Sequence, residues 1–193
     1  MNFLKQGLHM KRVSLIYKLF KNFKNNYIAI NFSKYFFVQF LFSFIRSIFF
    51  FKIHKNFSFY LKLLFIYFFS KKPIFGNEML NILKKTKILI NTHIDDTEYA
   101  GNMRLFEGTG MGCLVITDQK KDLDKLFKIG NEIETFKSED ELIKKCNYFL
   151  KNEDELSKIS NNGYLRTLND HNYKDRVLLL DKFIQNIVYE KNI

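Results

Sequence analysis

The chain has 193 residues, of which 47% are hydrophobic and 26% charged, with a formal net charge of +11. That length allows one ordinary domain, or one domain with an appendage, and the apolar content suffices for a packed core. The two cysteines, Cys113 and Cys146, have no metal-ligand spacing, which excludes a thiolate-held structural metal; they read as small buried thiols in a reducing compartment.

Charge is divided unevenly along the chain. Residues 1–77 contain no Asp or Glu, and residues 1–72 hold 13 Lys or Arg and 17 of the 23 Phe. The other 18 cations face all 20 acids, so residues 1–72 carry +13 and residues 73–193 carry −2. The break falls near Lys71-Lys72-Pro73. It separates a basic, Phe-rich segment (1–72) from a second domain (73–193).

Residues 1–70 read as helical, with Lys and Asn breaking apolar clusters, and one or more strands can lie among them. Residues 35–51 are the best membrane-span candidate, but Gln39 and Arg46 interrupt them. A spanning helix needs about 20 apolar residues. An arginine near its centre costs about 2.5–3.5 kcal/mol. Residues 57–69 are shorter and contain Lys62. Three readings stay open: a span, a surface-bound segment, or ordinary buried helices. In the second, Lys and Arg meet anionic headgroups while Phe and Leu insert at the acyl boundary. The first residues lack a signal-peptide pattern. The expected location is cytoplasmic, with peripheral attachment to the inner face of the membrane. Nucleic acid is not expected as a partner, because the aromatics come in blocks rather than as spaced stacking platforms.

From residue 73 onward the pattern sharpens. Residues 77–85 read as a short helix with Met79, Leu80, Ile82 and Leu83 on its apolar side. Residues 88–94 read as a buried strand, followed by a polar loop over 93–98. Residues 99–107 form the next helix. Gly108, Gly110 and Gly112 are expected to let the chain leave that helix at positive φ. Residues 113–117 then form an inner parallel strand. Glu107 is the anomaly, a carboxylate where the helix should meet the sheet.

A brief helix follows over 123–128, and 132–136 alternates as an edge-proximal strand would. Ser138 and Glu141 have capping-box spacing, so a helix starts there and runs to about residue 150, with Leu142, Cys146, Phe149 and Leu150 as its core face. Another helix covers 153–168. Asn172 caps the last one, along which Val177, Leu180, Phe183, Ile184 and Ile187 recur at helical spacing. Strands alternating with helices specify an α/β fold, a Rossmann-like parallel sheet flanked by helices.

The run Asn102-Met-Arg-Leu-Phe-Glu-Gly-Thr-Gly-Met-Gly-Cys-Leu-Val-Ile-Thr-Asp118 resembles the nucleotide-sugar-binding half of family 1-like glycosyltransferases of the CgeB spore-protein type. Flanking motifs agree: Pro73-Ile-Phe-Gly76 with Glu78-Met79, Ile88-Leu-Ile-Asn-Thr-His93, Tyr99-Ala-Gly-Asn102, Arg166-Thr-Leu and His171-Asn-Tyr-Lys-Asp-Arg176. The resemblance covers roughly residues 73–185. It implies the C-terminal half of a GT-B fold and a nucleotide-diphosphate sugar as donor, with no tightly bound cofactor.

By that resemblance Glu107 would hold the donor ribose. Gly101 and Asn102 lie near a helix start, where N–H groups favour phosphate oxygens, and Arg104 would contact the diphosphate. His93 and Gly110 complete the expected binding set; the competing reading for each residue is a local structural role, for Arg104 a salt bridge with Glu98 or Asp96, and His171 is expected to serve local hydrogen bonding. Related enzymes carry two glutamates separated by seven residues; here the position of the first is Tyr99, so Glu98 is given no catalytic role. No metal is expected, and no catalytic residue is assigned. The acceptor domain of such enzymes has no counterpart in residues 1–72. A working transferase would rely on a partner polypeptide to supply it; an inactive nucleotide-sugar-binding remnant and a membrane-surface interaction protein are the alternatives.

Overall fold

The computed structural model describes residues 10–23, 45, 53–93 and 98–191. The chain divides into two compact units, Met1–Phe75 and Gly76–Ile193. In the first, helices α1 (Met10–Asn22) and α2 (Ile53–Phe69) pack together around Val13, Leu63 and Ile66. The described parts of residues 1–70 are helical rather than stranded. Most of the 35–51 span candidate lies outside the described residues. The 57–69 candidate falls within α2. Among the described residues no helix is long and apolar enough to cross a membrane.

The second unit runs α3 (Gly76–Lys84), β1 (Ile88–Asn91), α4 (Met103–Gly110), β2 (Leu114–Asp118), α5 (Leu123–Leu126), β3 (Glu134–Phe136), α6 (Glu139–Lys151), α7 (Glu153–Asp170) and α8 (Tyr173–Lys191). The three strands form one sheet in the order β1-β2-β3, both pairings parallel, with Ile88 opposite Leu114 and Ile116 opposite Glu134. Parallel neighbours require crossover connections, and α4 and α5 lie in them. Leu114 to Thr117 of β2 are fully buried, as an inner strand covered on both faces must be. This is the expected Rossmann-like α/β arrangement.

The core is built from Leu105, Val115, Leu123, Phe127 and Ile133, joined by Leu89, Ala100, Phe106 and Leu126. Helix α4 is held between the sheet and α7. Its two contacts depend on residues without bulk. A Cβ on Gly108 would meet Leu89 Cδ2 at 2.3 Å and Val115 Cγ2 at 2.8 Å. On the other side, Thr109 Oγ1 and Thr167 Oγ1 lie 2.6 Å apart, and a Cβ on Gly163 of α7 would stand 2.3 Å from the Glu132 carbonyl oxygen.

The glycines therefore act differently from the sequence expectation. Gly108 and Gly110 remain inside the helix, Gly108 because the sheet comes so close. Only Gly112, at φ 79°, turns the chain out at positive φ, and its N–H bonds the Thr109 carbonyl. The start of α4 also shifts. Asn102, extended at φ −72° and ψ 149°, caps the helix through Leu105 N–H, so the helix begins at Met103 rather than at 99. Glu107 does not enter the helix–sheet contact; Leu105 and Gly108 occupy it.

Ser138 accepts from Glu141 N–H at 3.2 Å, as its spacing predicts, while the Glu141 carboxylate accepts from Lys137 N–H at 2.9 Å. Leu142, Cys146 and Phe149 of α6 are buried, but Leu150 is exposed. Asn172 and Asp175 cap α8 reciprocally, Asp175 N–H to Asn172 Oδ1 at 3.0 Å and Asn172 Nδ2 to Asp175 Oδ2 at 2.7 Å. The apolar residues of α8 do not form a core face. Every residue from Arg176 to Tyr189 is exposed.

Two expectations test this packing. Gly163→Ala gains about 0.5–1 kcal/mol of helix preference, yet should destabilise the protein by about 1–3 kcal/mol because backbone must move. A urea midpoint equal to or above wild type would refute the close approach. Burial pushes the Cys113 and Cys146 thiols up to about 11. Near neutral pH both should resist a thiol reagent in the native protein and react once it is unfolded.

Candidate functional site

The strands run parallel, so β1 and β2 end on the same edge, and α4 starts there. In open α/β sheets this edge is where ligands bind. The polar residues that close the strands form one hydrogen-bonded chain. Asn102 Nδ2 donates to Asn91 Oδ1 at 2.9 Å, and Asn91 Nδ2 donates to Thr117 Oγ1 at 3.0 Å. Thr117 Oγ1 lies 3.3 Å from Asp118 Oδ1. That oxygen also accepts from His93 N–H and faces His93 Nδ1, both at 2.8 Å. His93 is 4% exposed. A carboxylate opposite Nδ1 puts the imidazole proton on that nitrogen.

Gly101 precedes the cap at φ 137°, with open space where a Cβ would stand. Ala100 N–H is held by Asp122 Oδ1 at 2.6 Å, which anchors the approach to the helix. At the start of any α-helix the first N–H groups point out of its end with a partial positive charge. Here those of Met103 and Arg104 occupy that position.

Arg104 and Glu107 lie on the flank of α4 that meets Met79 of α3. Arg104 Nη1 donates to Glu107 Oε2 at 2.8 Å and also contacts Met79 Sδ. Arg104 is about half exposed and Glu107 less so. The ion pair fixes one carboxylate oxygen of Glu107. Sequence reasoning offered Glu98 or Asp96 as a partner for Arg104. Glu98 instead pairs with Lys121 at 2.7 Å, and Asp96 lies outside the described residues, as does most of the 93–98 loop. Gly110 does not join this group. As the last residue of α4 it lies about 12 Å along the axis from Asn102, beside Thr167 of α7.

Beyond β2 an open depression of about 320 Å³ is lined by Glu98, Gln119, Lys120 and Lys121. Lys120 Nζ lies 3.7 Å from Asp118 Oδ2. These lysines, together with Asn91, Thr117 and Asp118, were missed from sequence. The available signal was positional: each is at, or just beyond, the carboxyl end of an apolar run. A second depression of similar volume lies along α7. There Arg166 is already held by the Leu126 carbonyl, Glu132 and Asp170. Among the described residues no cluster of three His, Cys, Asp or Glu could hold a metal ion.

His171 is structural, in line with its local hydrogen-bonding expectation. Its Nε2 faces the Leu126 carbonyl at 2.8 Å and its Nδ1 faces Arg176 Nη2 at 3.2 Å. Arg can only donate, so Nδ1 accepts and Nε2 carries the proton. The ring packs on Phe106 and Phe127.

Residues 46–182 match the glycosyl transferase-like family. The chain belongs to this family. The match covers more than two-thirds of the 193 residues and begins earlier than the motif resemblance, taking in α2. No curated protein matches the chain. The family's chemistry is glycosyl transfer, and the parallel sheet with its flanking helices is consistent with a Rossmann-like glycosyltransferase half.

Asn102→Ala should destabilise the protein by about 1–2 kcal/mol, since it removes the cap and leaves Asn91 short of a buried partner. Asn102→Asp, which keeps the cap oxygen, should lose less. Denaturant midpoints equal for wild type and both variants would show that the cap and the bridge carry no stability.

Proposed function

We propose that the chain binds a nucleotide-diphosphate sugar at the carboxyl edge of β1 and β2 and transfers the sugar to a glycan, lipid or protein acceptor, as a member of the CgeB-like subtype. The observation that carries this reading is the Arg104–Glu107 pair one turn into α4. It holds an oriented carboxylate beside a helix start that favours anions. In this reading Glu107 accepts from the ribose hydroxyls. Gly101 allows the diphosphate to approach the cap, and the N–H groups after Asn102 bind it.

In transfer, the bond between the anomeric carbon and the diphosphate oxygen breaks, and the electron pair leaves with the diphosphate. Arg104, the helix start, Lys120 and Lys121 would meet that growing charge. His93, fixed by Asp118, orients the end of β1. Gly110 has a packing role in this reading.

Residues 1–77 hold no carboxylate. A carboxylate base for the acceptor must therefore come from later in the chain or from a partner polypeptide that supplies the acceptor domain. Residues 1–72, basic and Phe-rich, would attach the protein peripherally to the inner face of a membrane. An inactive nucleotide-sugar-binding remnant is the second reading, favoured by the same absence of acids.

Calorimetric titration with UDP, GDP and their sugar conjugates tests the site. Hydrogen bonds to a charged group contribute about 1.5–3 kcal/mol, so Glu107→Ala should weaken binding about tenfold or more. Equal affinity in the variant would remove Glu107 from the site. A folded wild type that binds none of these ligands would end the donor reading. Hydrolysis or transfer of a bound donor then separates the enzyme from the remnant.

A further inference from the structure

We infer that α8 is a self-association helix: its seam of Tyr173, Val177, Leu180, Ile184 and Ile187 pairs with the same seam of a second copy as a parallel two-stranded coiled coil. Every other helix of the Gly76–Ile193 unit buries at least one apolar residue or glycine within that unit. Helix α8 buries none between Arg176 and Tyr189. Residues 76–93 and 98–191 make up almost all of the unit, and none of them covers this stretch. The five seam residues are between 38% and 88% exposed. An apolar helix of this length is marginal in water without a partner.

The spacing of the seam says what kind of partner fits. Tyr173, Val177, Leu180, Ile184 and Ile187 follow one another at alternating steps of four and three residues. That is a period of 3.5, the repeat that keeps one stripe facing another helix. Asp175 and Lys182 lie on the opposite side, and Leu178 and Leu179 fall outside the seam. Val177 and Ile184, β-branched, alternate with Leu180, the order that favours two strands.

The residues flanking the seam favour a copy of the same helix in the same direction. In a parallel pair, Arg176 of one copy meets Asp181 of the other, and Phe183 meets Val188, each twice by symmetry. Both combinations match, opposite charge with opposite charge and apolar with apolar. An antiparallel pairing of the same seam sets Asp181 against Asp181. In the single chain Arg176 Nη2 faces His171 Nδ1, and Asp181 Oδ2 accepts from Gln185 within α8. Exposed pairs of this kind contribute little strength, so they select direction while the apolar seam supplies the attraction. Four cations against three acids leave α8 close to neutral, and a second copy is not repelled.

Sedimentation equilibrium of the full chain over a concentration series tests the pairing, with circular dichroism to confirm that each variant is folded. Wild type should pass reversibly from monomer to dimer. A wild type that stays monomeric up to about 100 µM overturns the inference, and another part of the chain or a different protein is then the occupant. Leu180→Gln with Ile184→Gln should raise the dimer dissociation constant about a hundredfold or more. An unchanged constant overturns this seam. Leu179→Gln, outside the seam, should dimerise as wild type does; a loss equal to that of the seam variant would mean unspecific apolar association and overturn the coiled coil. Ile187→Cys reads direction. Cys113 and Cys146 are buried, so mild oxidation should link two copies through position 187 in this variant and leave wild type unlinked. A dimer of the variant that does not cross-link overturns the parallel arrangement.

Discussion

The bridge from Asn102 to Asn91 is the constraint on which the candidate site depends. One side chain ends α4 and ties it to the end of β1, with its oxygen on Leu105 N–H and its amide on Asn91. Asn91 is buried, so an unmet amide there would cost about 1–3 kcal/mol. Its second bond, to Thr117, passes the constraint to β2 and then to Asp118 and His93. The position of the helix start, and with it the turn carrying Arg104 and Glu107, follows from this polar chain.

That chain works only because α4 lies so close to the sheet. Gly108 brings the helix against Leu89 and Val115, and Gly163 brings α7 against the Glu132 carbonyl. Glycine is a poor helix former, so its presence inside two helices goes against local preference. Tertiary packing explains both. The same approach pushes Glu107 out of the helix–sheet contact and onto the flank, where Arg104 and solvent can reach it. A carboxylate on the sheet side would have been buried without such a partner.

Two helices expose apolar side chains among the described residues, α2 through Leu61 and Phe68 and α8 along most of its length. Helix α8 mixes both signs: Lys174, Asp175, Arg176, Asp181 and Lys182 interrupt its exposed Val177, Leu180, Phe183 and Ile184. A 19-residue helix of mixed polarity is marginal in water without packing. The family match reaches residue 182, into α8, so this helix is partly within the shared fold.

By itself the sequence determined the alternation of strands and helices after residue 73, the capping roles of Ser138 and Asn172, and the run that marks the family. These are local properties: periodicity, cap chemistry and a turn-rich motif act over a few residues. It also separated the basic N-terminal segment by composition alone. Only the tertiary structure decided that Asn102, not residue 99, starts α4, and that Arg104 pairs with Glu107 rather than with Glu98. It also separated Gly110 from the other site residues and brought in Asn91, Thr117 and Asp118. Each of those outcomes depends on which strand end lies beside which helix. Contacts between residues 11 to 26 positions apart are set by the parallel register and by the space two glycines leave, and neither is visible along the chain.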